Sequence, residues 1–123
     1  MRLPRHIVGM CNAISPEKAV MWTLLFEGGA DPSLSADHFT FEIYRRWFCV
    51  LAGQGNGTPL SEGAFSAQVA QSGHVMDRRE LRALRRMLRV PPPPRVRANR
   101  DLLVQALTDR HAGLRMHIER LIN

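Results

Sequence analysis

The chain has 123 residues, 45% hydrophobic and 23% charged, a balance that excludes wholesale disorder and fits one helical domain over residues 1–123 better than two. Its net charge of +6 is unevenly placed. Residues 1–77 carry five basic and seven acidic side chains, a net −2, whereas residues 78–123 carry twelve and four, a net +8. Positive potential is therefore concentrated on one part of the fold. Sixteen arginines stand against a single lysine; codon bias accounts for Arg in place of Lys, but not for clustering.

In chain order, Ile7 to Met10 is too short an apolar patch for a signal peptide, and Ile7-Val8 gives a faint strand signal. Ser15-Pro16-Glu17 supplies an N-cap, a proline at N1 and an acid in the first turn, opening a helix that stops at Gly28-Gly29. Val20, Met21, Trp22, Leu24, Leu25 and Phe26 leave it little polar face, so a central, buried position is expected. The run Val20 to Phe26 is far below the ~20 residues that span a bilayer. Ser35-Ala36-Asp37 opens a second predicted helix reaching about Ala52. Its core stripe is Ile43, Tyr44, Trp47, Phe48 and Leu51, and it leaves Glu42, Arg45 and Arg46 to solvent. The two cysteines, Cys11 and Cys49, have neither metal-ligand spacing nor a disulfide framework. Cys49, inside an apolar run, is expected to be a buried free thiol. A soluble, cytoplasmic protein without membrane contact is the expectation.

Gly53 to Pro59 breaks the chain. Ser61 is positioned to cap a third helix, Glu62 to Gln71, with Phe65 and Val69 inward and Gly73 in the stop position. Asp77 and Glu80 have capping-box spacing and open a fourth helix to Arg89, on which Leu81, Leu84 and Leu88 share one side. Pro91 to Pro94 is expected to be extended polyproline, within a Pro/Arg-rich internal linker at 91–98; Arg95-Val96-Arg97 carries a weak strand signal. Asn99 then caps a last helical region with Leu102, Leu103, Ala106, Leu107, Leu114, Ile118, Leu121 and Ile122, which Gly113 bends or divides. The fold class expected is all-α, a compact domain of about five helices with a helix-turn-helix-like core and no internal repeat.

The stretch Arg78 to Arg100 is the most informative. It contains nine arginines (Arg78, Arg79, Arg82, Arg85, Arg86, Arg89, Arg95, Arg97 and Arg100) and one acid, Glu80. Arg78, Arg82, Arg85, Arg86 and Arg89 line the side of the fourth helix opposite its leucines. Guanidiniums so placed repel one another unless an anion meets them. Phosphates, or guanine edges in a major groove, are the natural candidates. Arg95, Arg97 and Arg100 would extend the surface beside the proline run.

The helix at 62–71, the glycine-containing turn and the arginine helix form a helix-turn-helix outline with a turn longer than usual. A second pattern lies alongside it: Tyr44-Arg45-Arg46-Trp47, then Gly53 to Gly57, then Pro59-Leu60-Ser61 and Phe65. Over about residues 39–73 this resembles the winged-helix domains of phage and plasmid primase-helicases. The resemblance implies DNA contact through Gln68, Ser66 and their neighbours, and a mobile-element origin. After Gly73, where that family places a β-hairpin wing, the arginine helix stands instead.

His6, His38, His74, His111 and His117 are scattered, with no i, i+4 pair and no accompanying cysteine, so no metal site is expected. No catalytic motif is present. Gly53-Gln54-Gly55-Asn56-Gly57 lacks the Lys-Ser/Thr ending of a phosphate loop, and no cofactor is expected. Trp22, Phe26, Tyr44, Trp47 and Phe48 fall on core stripes. Phe39 and Phe41 are left as the aromatics available for stacking, and residues 78–100 contain no aromatic. Duplex DNA is thus favoured over single strands, with structured RNA possible. The expectation is a small non-enzymatic DNA-binding protein, such as a regulator or a replication or transfer accessory factor of a bacterium or mobile element. The alternative is a phage- or plasmid-encoded inhibitor or adaptor docking its basic face on an acidic protein partner. The stripe Leu114, Ile118, Leu121 and Ile122 is the candidate interface of a possible homodimer.

Overall fold

The computed structural model describes residues 15–54 and 60–122, with side chains for 15–53 and 60–111. These residues are helical, with no strand among them: α1 (Pro16–Glu27), a short 3-10 turn (Ala36–His38), α2 (Glu42–Gln54), α3 (Glu62–Gln71), α4 (Arg78–Arg89), α5 (Pro94–Ala98) and α6 (Arg100–Ile122). The domain is all-α, with six α-helices among the described residues where the sequence suggested about five. The Ile7-Val8 signal, the glycines at 55 and 57, and the Leu114–Ile122 stripe lie outside the residues whose side chains are described.

Helix α1 is the hub, packing against α2, α4, α5 and α6. Ser15 caps it by accepting the Lys18 N–H at 3.2 Å, and it ends at Gly28, whose φ of 82° suits glycine. Ala19, Val20, Met21, Trp22, Leu24 and Leu25 are all buried, as a helix without a polar face requires. Phe26, expected in the core, is instead 41% exposed.

The predicted helix from Ser35 to Ala52 is broken in two. Phe39 leaves the 3-10 turn in extended backbone, and α2 restarts at Glu42. The cause is tertiary. The buried Glu17 carboxylate accepts both the Thr40 N–H and the Thr40 hydroxyl, so Thr40 is held by α1 and not by a helical ladder. Phe39 is thereby fully buried and is no stacking candidate, while Phe41 is 55% exposed. Arg45 donates from Nε to the Phe39 carbonyl at 2.7 Å. Arg46 is not simply solvated either: it bonds the Ser72 carbonyl at 2.9 Å and Glu42 at 2.8 Å, tying α2 to the end of α3. Cys49 is exposed. On α2 the inward side is defined by Trp47, Phe48 and Leu51, and Cys49 falls about 150° away from their mean direction.

Helix α3 matches its expected span. Ser61 accepts the Ala64 N–H at 3.1 Å, Phe65 and Val69 are fully buried, and Gly73 turns the chain with φ 98°. The six residues from Ser72 to Asp77 connect α3 to α4. Trp47 pins this connection by donating to the Met76 sulfur at 3.2 Å.

Residues 91–98 are not extended throughout. Pro93 is still extended, but Pro94 takes the N1 position of α5, and Val96 is fully buried. Proline's fixed φ suits a helix start, so the proline run ends by opening a helix, and Arg95-Val96-Arg97 is helical. Asn99 joins α5 to α6 differently from a side-chain N-cap. Its amide donates to the Arg95 carbonyl at 2.7 Å, while its own carbonyl accepts the Leu103 N–H at 2.9 Å. Helix α6 runs through Gly113 without division and buries Leu103, Val104 and Leu107.

Candidate nucleic-acid interface

Helix α4 begins with the expected capping box. Asp77 accepts the Glu80 N–H at 2.9 Å, and Glu80 reaches back to the Asp77 N–H at 3.4 Å. The Glu80 backbone N–H, donating to it, holds the Asp77 carboxyl below the usual carboxylate range. Leu84 and Met87 are fully buried, with Leu81 and Leu88 packed at the core margin. The inward direction thus includes Met87, which the leucine spacing alone did not reveal. At 100° per residue the remaining positions Arg78, Arg79, Arg82, Arg85, Arg86 and Arg89 fall within an outward arc about 120° wide, on a helix about 18 Å long. All six are exposed.

Their surroundings divide them. Arg78, Arg79 and Arg82 have no carboxylate within ion-pair distance among the described residues. Arg86 lies across Trp22, its guanidinium carbon 5.7 Å from the ring centroid, in a cation–π contact. The Trp22 indole N–H in turn donates to the Val90 carbonyl at 2.7 Å, fastening the C-terminus of α4 to α1. Arg85 forms a two-pronged pair with Glu62 at the start of α3, with Nη2 at 2.9 Å from Oε1 and Nε at 3.1 Å from Oε2. Arg89 stands 4.0 Å from the same carboxylate. Arg85 is the main reason the Glu62 carboxyl is held below its usual range. The bond also folds α4 back along α3, joining the N-terminus of one to the last turns of the other.

The other predicted contact residues separate from this face. Arg95 and Arg97 are exposed on α5 on either side of buried Val96, about 200° apart around the helix axis, so both cannot continue one surface. Arg100 is committed to the fold: Nε is 3.0 Å and Nη2 3.0 Å from Glu27, and Nη1 is 2.9 Å from Asp31. Those bonds raise its already high pKa further and, after the Ser33 hydroxyl, help lower that of Asp31. Ser66 is half-buried and Gln68 exposed on α3.

His38 and His111 meet edge to face at 4.8 Å, and His74 pairs with Glu80 at 2.7 Å. Among the described residues no three His, Cys, Asp or Glu side chains converge to hold a metal. No helix of the described residues is long and apolar enough to cross a membrane. An open recess of about 330 Å³ lies over Leu34, Phe48 and Leu51, but Asp31, its acidic lining residue, is already paired with Arg100.

Sequence reasoning missed Glu62 as the partner of Arg85, Trp22 beneath Arg86, and the carboxylates around Arg100. Each pairing joins residues far apart in the chain, and no local pattern announces it. No family model matches the chain, and no match is found among curated proteins or solved structures.

Proposed function

We propose that the protein is a small, non-enzymatic nucleic-acid-binding protein that presents the outward face of α4 to a duplex. One observation carries this. Six arginines occupy a single arc of one rigid helix, and Arg78, Arg79 and Arg82 have no carboxylate partner among the described residues. The arc contains no aromatic side chain, which favours duplex backbone over stacked single strands. An α-helix about 10–12 Å across suits a B-form major groove about 12 Å wide, while the major groove of A-form RNA is too narrow. Duplex DNA is therefore the partner of choice. Regulation, or replication or transfer of a bacterial or mobile element, is the setting in which such a module fits.

The test is fluorescence anisotropy with a mixed-sequence duplex at about 50 and 200 mM salt, wild type beside a variant with Arg78, Arg79 and Arg82 changed to Ala. Four to six phosphates neutralised give a log–log salt slope of about −4 to −5. Binding that ignores salt, or that survives the triple substitution, overturns the proposal. A second reading has its own support: exposed Val90 stands at the C-terminal end of α4, adding apolar surface next to Arg89, as a docking site for an acidic protein would require. Weak, non-saturating DNA binding together with capture of one acidic partner would favour it.

A further inference from the structure

Glu62 differs from the other acids near α4. Glu80 faces His74 and closes the capping box, and Asp77 caps the helix; Glu62 alone among these three reaches the arginine arc. It engages Arg85 through Nε and Nη2 together, the planar fork with which a guanidinium also grips a phosphate. It stands within 4.0 Å of Arg89 as well. We propose that Glu62 is an internal stand-in for phosphate, occupying the Arg85 fork in the free protein and giving way when a nucleic-acid backbone engages the face. The inference rests on the nucleic-acid function proposed above and concerns how that site is regulated.

Three features make the exchange feasible. The arginine side chains stay open to an incoming anion, Arg85 at 53% and Arg89 at 72% exposed. The Glu62 pair lies in solvent-accessible surroundings, where such ion pairs hold weakly. When Glu62 swings away its charge remains favourable, because it sits in the first turn of α3, at the positive end of the helix dipole. The carboxylate thus lowers the affinity of the face for any single stray phosphate, and a continuous backbone that also engages Arg78, Arg79 and Arg82 overcomes it.

The test uses the full chain, the same labelled duplex and two charge-matched variants. Glu62→Gln removes the competitor. Asp109→Asn removes an equal charge from an exposed acid on α6 that accepts from the Gln105 amide at 2.8 Å. Relative to Asp109→Asn, Glu62→Gln should bind about twofold to fivefold more tightly at ~50 mM salt, the range of one exposed ion pair. Its salt slope should steepen by about 0.9, for one more phosphate neutralised without loss of an internal partner. Adding Arg85→Ala to each variant should erase the difference. Thermal melts confirm folding, and the Arg85 Nε–H resonance gives a second readout: in wild type it should shift from its carboxylate-bound position on titration with duplex. Equal affinity and slope in the two variants, or a weaker Glu62→Gln, overturns the competitor role while leaving nucleic-acid binding in place. Absence of binding in wild type and Glu62→Gln alike overturns both proposals.

Discussion

Arg100 and the trio Arg78, Arg79 and Arg82 are the same residue type put to opposite uses. Arg100, at the head of α6, is gripped by Glu27 and Asp31 and joins the end of α1 to α6. Arg46 similarly ties α2 to α3, and Arg110 donates to the His38 carbonyl at 3.1 Å and approaches the Glu17 carboxylate at 3.7 Å. The trio on α4 is held by no such carboxylate among the described residues. What separates an arginine that builds the fold from one left open at the surface is the acid brought to it by tertiary structure, not its density along the chain. Arg100 closes the richest arginine stretch of the sequence and still belongs to the first group.

That contrast can be broken from beneath the face. Leu84 is fully buried under the arginine arc, and Leu84→Ala should cost about 2–5 kcal/mol in a urea titration, with duplex affinity lost as the helix loosens. The triple change Arg78, Arg79 and Arg82 to Ala should cut duplex affinity about 100-fold at ~50 mM salt yet leave stability within about 0.5 kcal/mol. Arg100→Ala should do the reverse. It leaves the part-buried Asp31 carboxylate without its cation, lowering stability by about 1–2 kcal/mol after allowance for solvent screening, with affinity little changed. If Arg100→Ala weakens binding as much as the triple variant does, the division between the two groups fails.

Smaller effects sharpen the comparison. Asp77→Ala removes the α4 cap and should lower the melting temperature modestly, with a modest affinity loss through fraying of the Arg78 turn. His38 sits partly buried against His111, near Arg110 and Asp37. Burial, then the neighbouring His111, lowers its pKa below the ordinary histidine value of 6.5. Its Nδ1 accepts the Ser35 N–H at 2.8 Å, a role open to the neutral ring. The unfolded chain therefore binds this proton more readily. The contribution is fully present above about pH 6.5 and is lost as pH falls through the depressed folded value. Melting temperature should drop between about pH 7.5 and 5.5, and less so in His38→Asn.

How much of this was legible in the sequence depends on the range of the interactions concerned. Helices α1, α3 and α4 have the boundaries expected because their caps are local: Ser15 to Lys18, Ser61 to Ala64 and Asp77 to Glu80 each lie three residues apart. The break at Thr40 was hidden because its cause, Glu17, is 23 residues away. Cys49 was misplaced by the apolarity of its neighbours, when the phase of Trp47 and Leu51 around the axis decides. The prolines announced extended chain, and buried Val96 turned their end into a helix. At the candidate site the arginine face was readable from spacing alone. Its division was not, since Glu62 is 23 residues from Arg85 and Glu27 is 73 from Arg100.

The stacking of Arg86 on Trp22 has a practical consequence. The chain has only two tryptophans; one lies directly under the arginine arc, and the other, Trp47, is sealed in the core against Met76 and Phe65. An anion that draws Arg86 off the indole changes the field around one fluorophore and leaves the other untouched. The protein thus carries its own optical gauge of engagement, readable without any label, with Trp47 as the built-in reference.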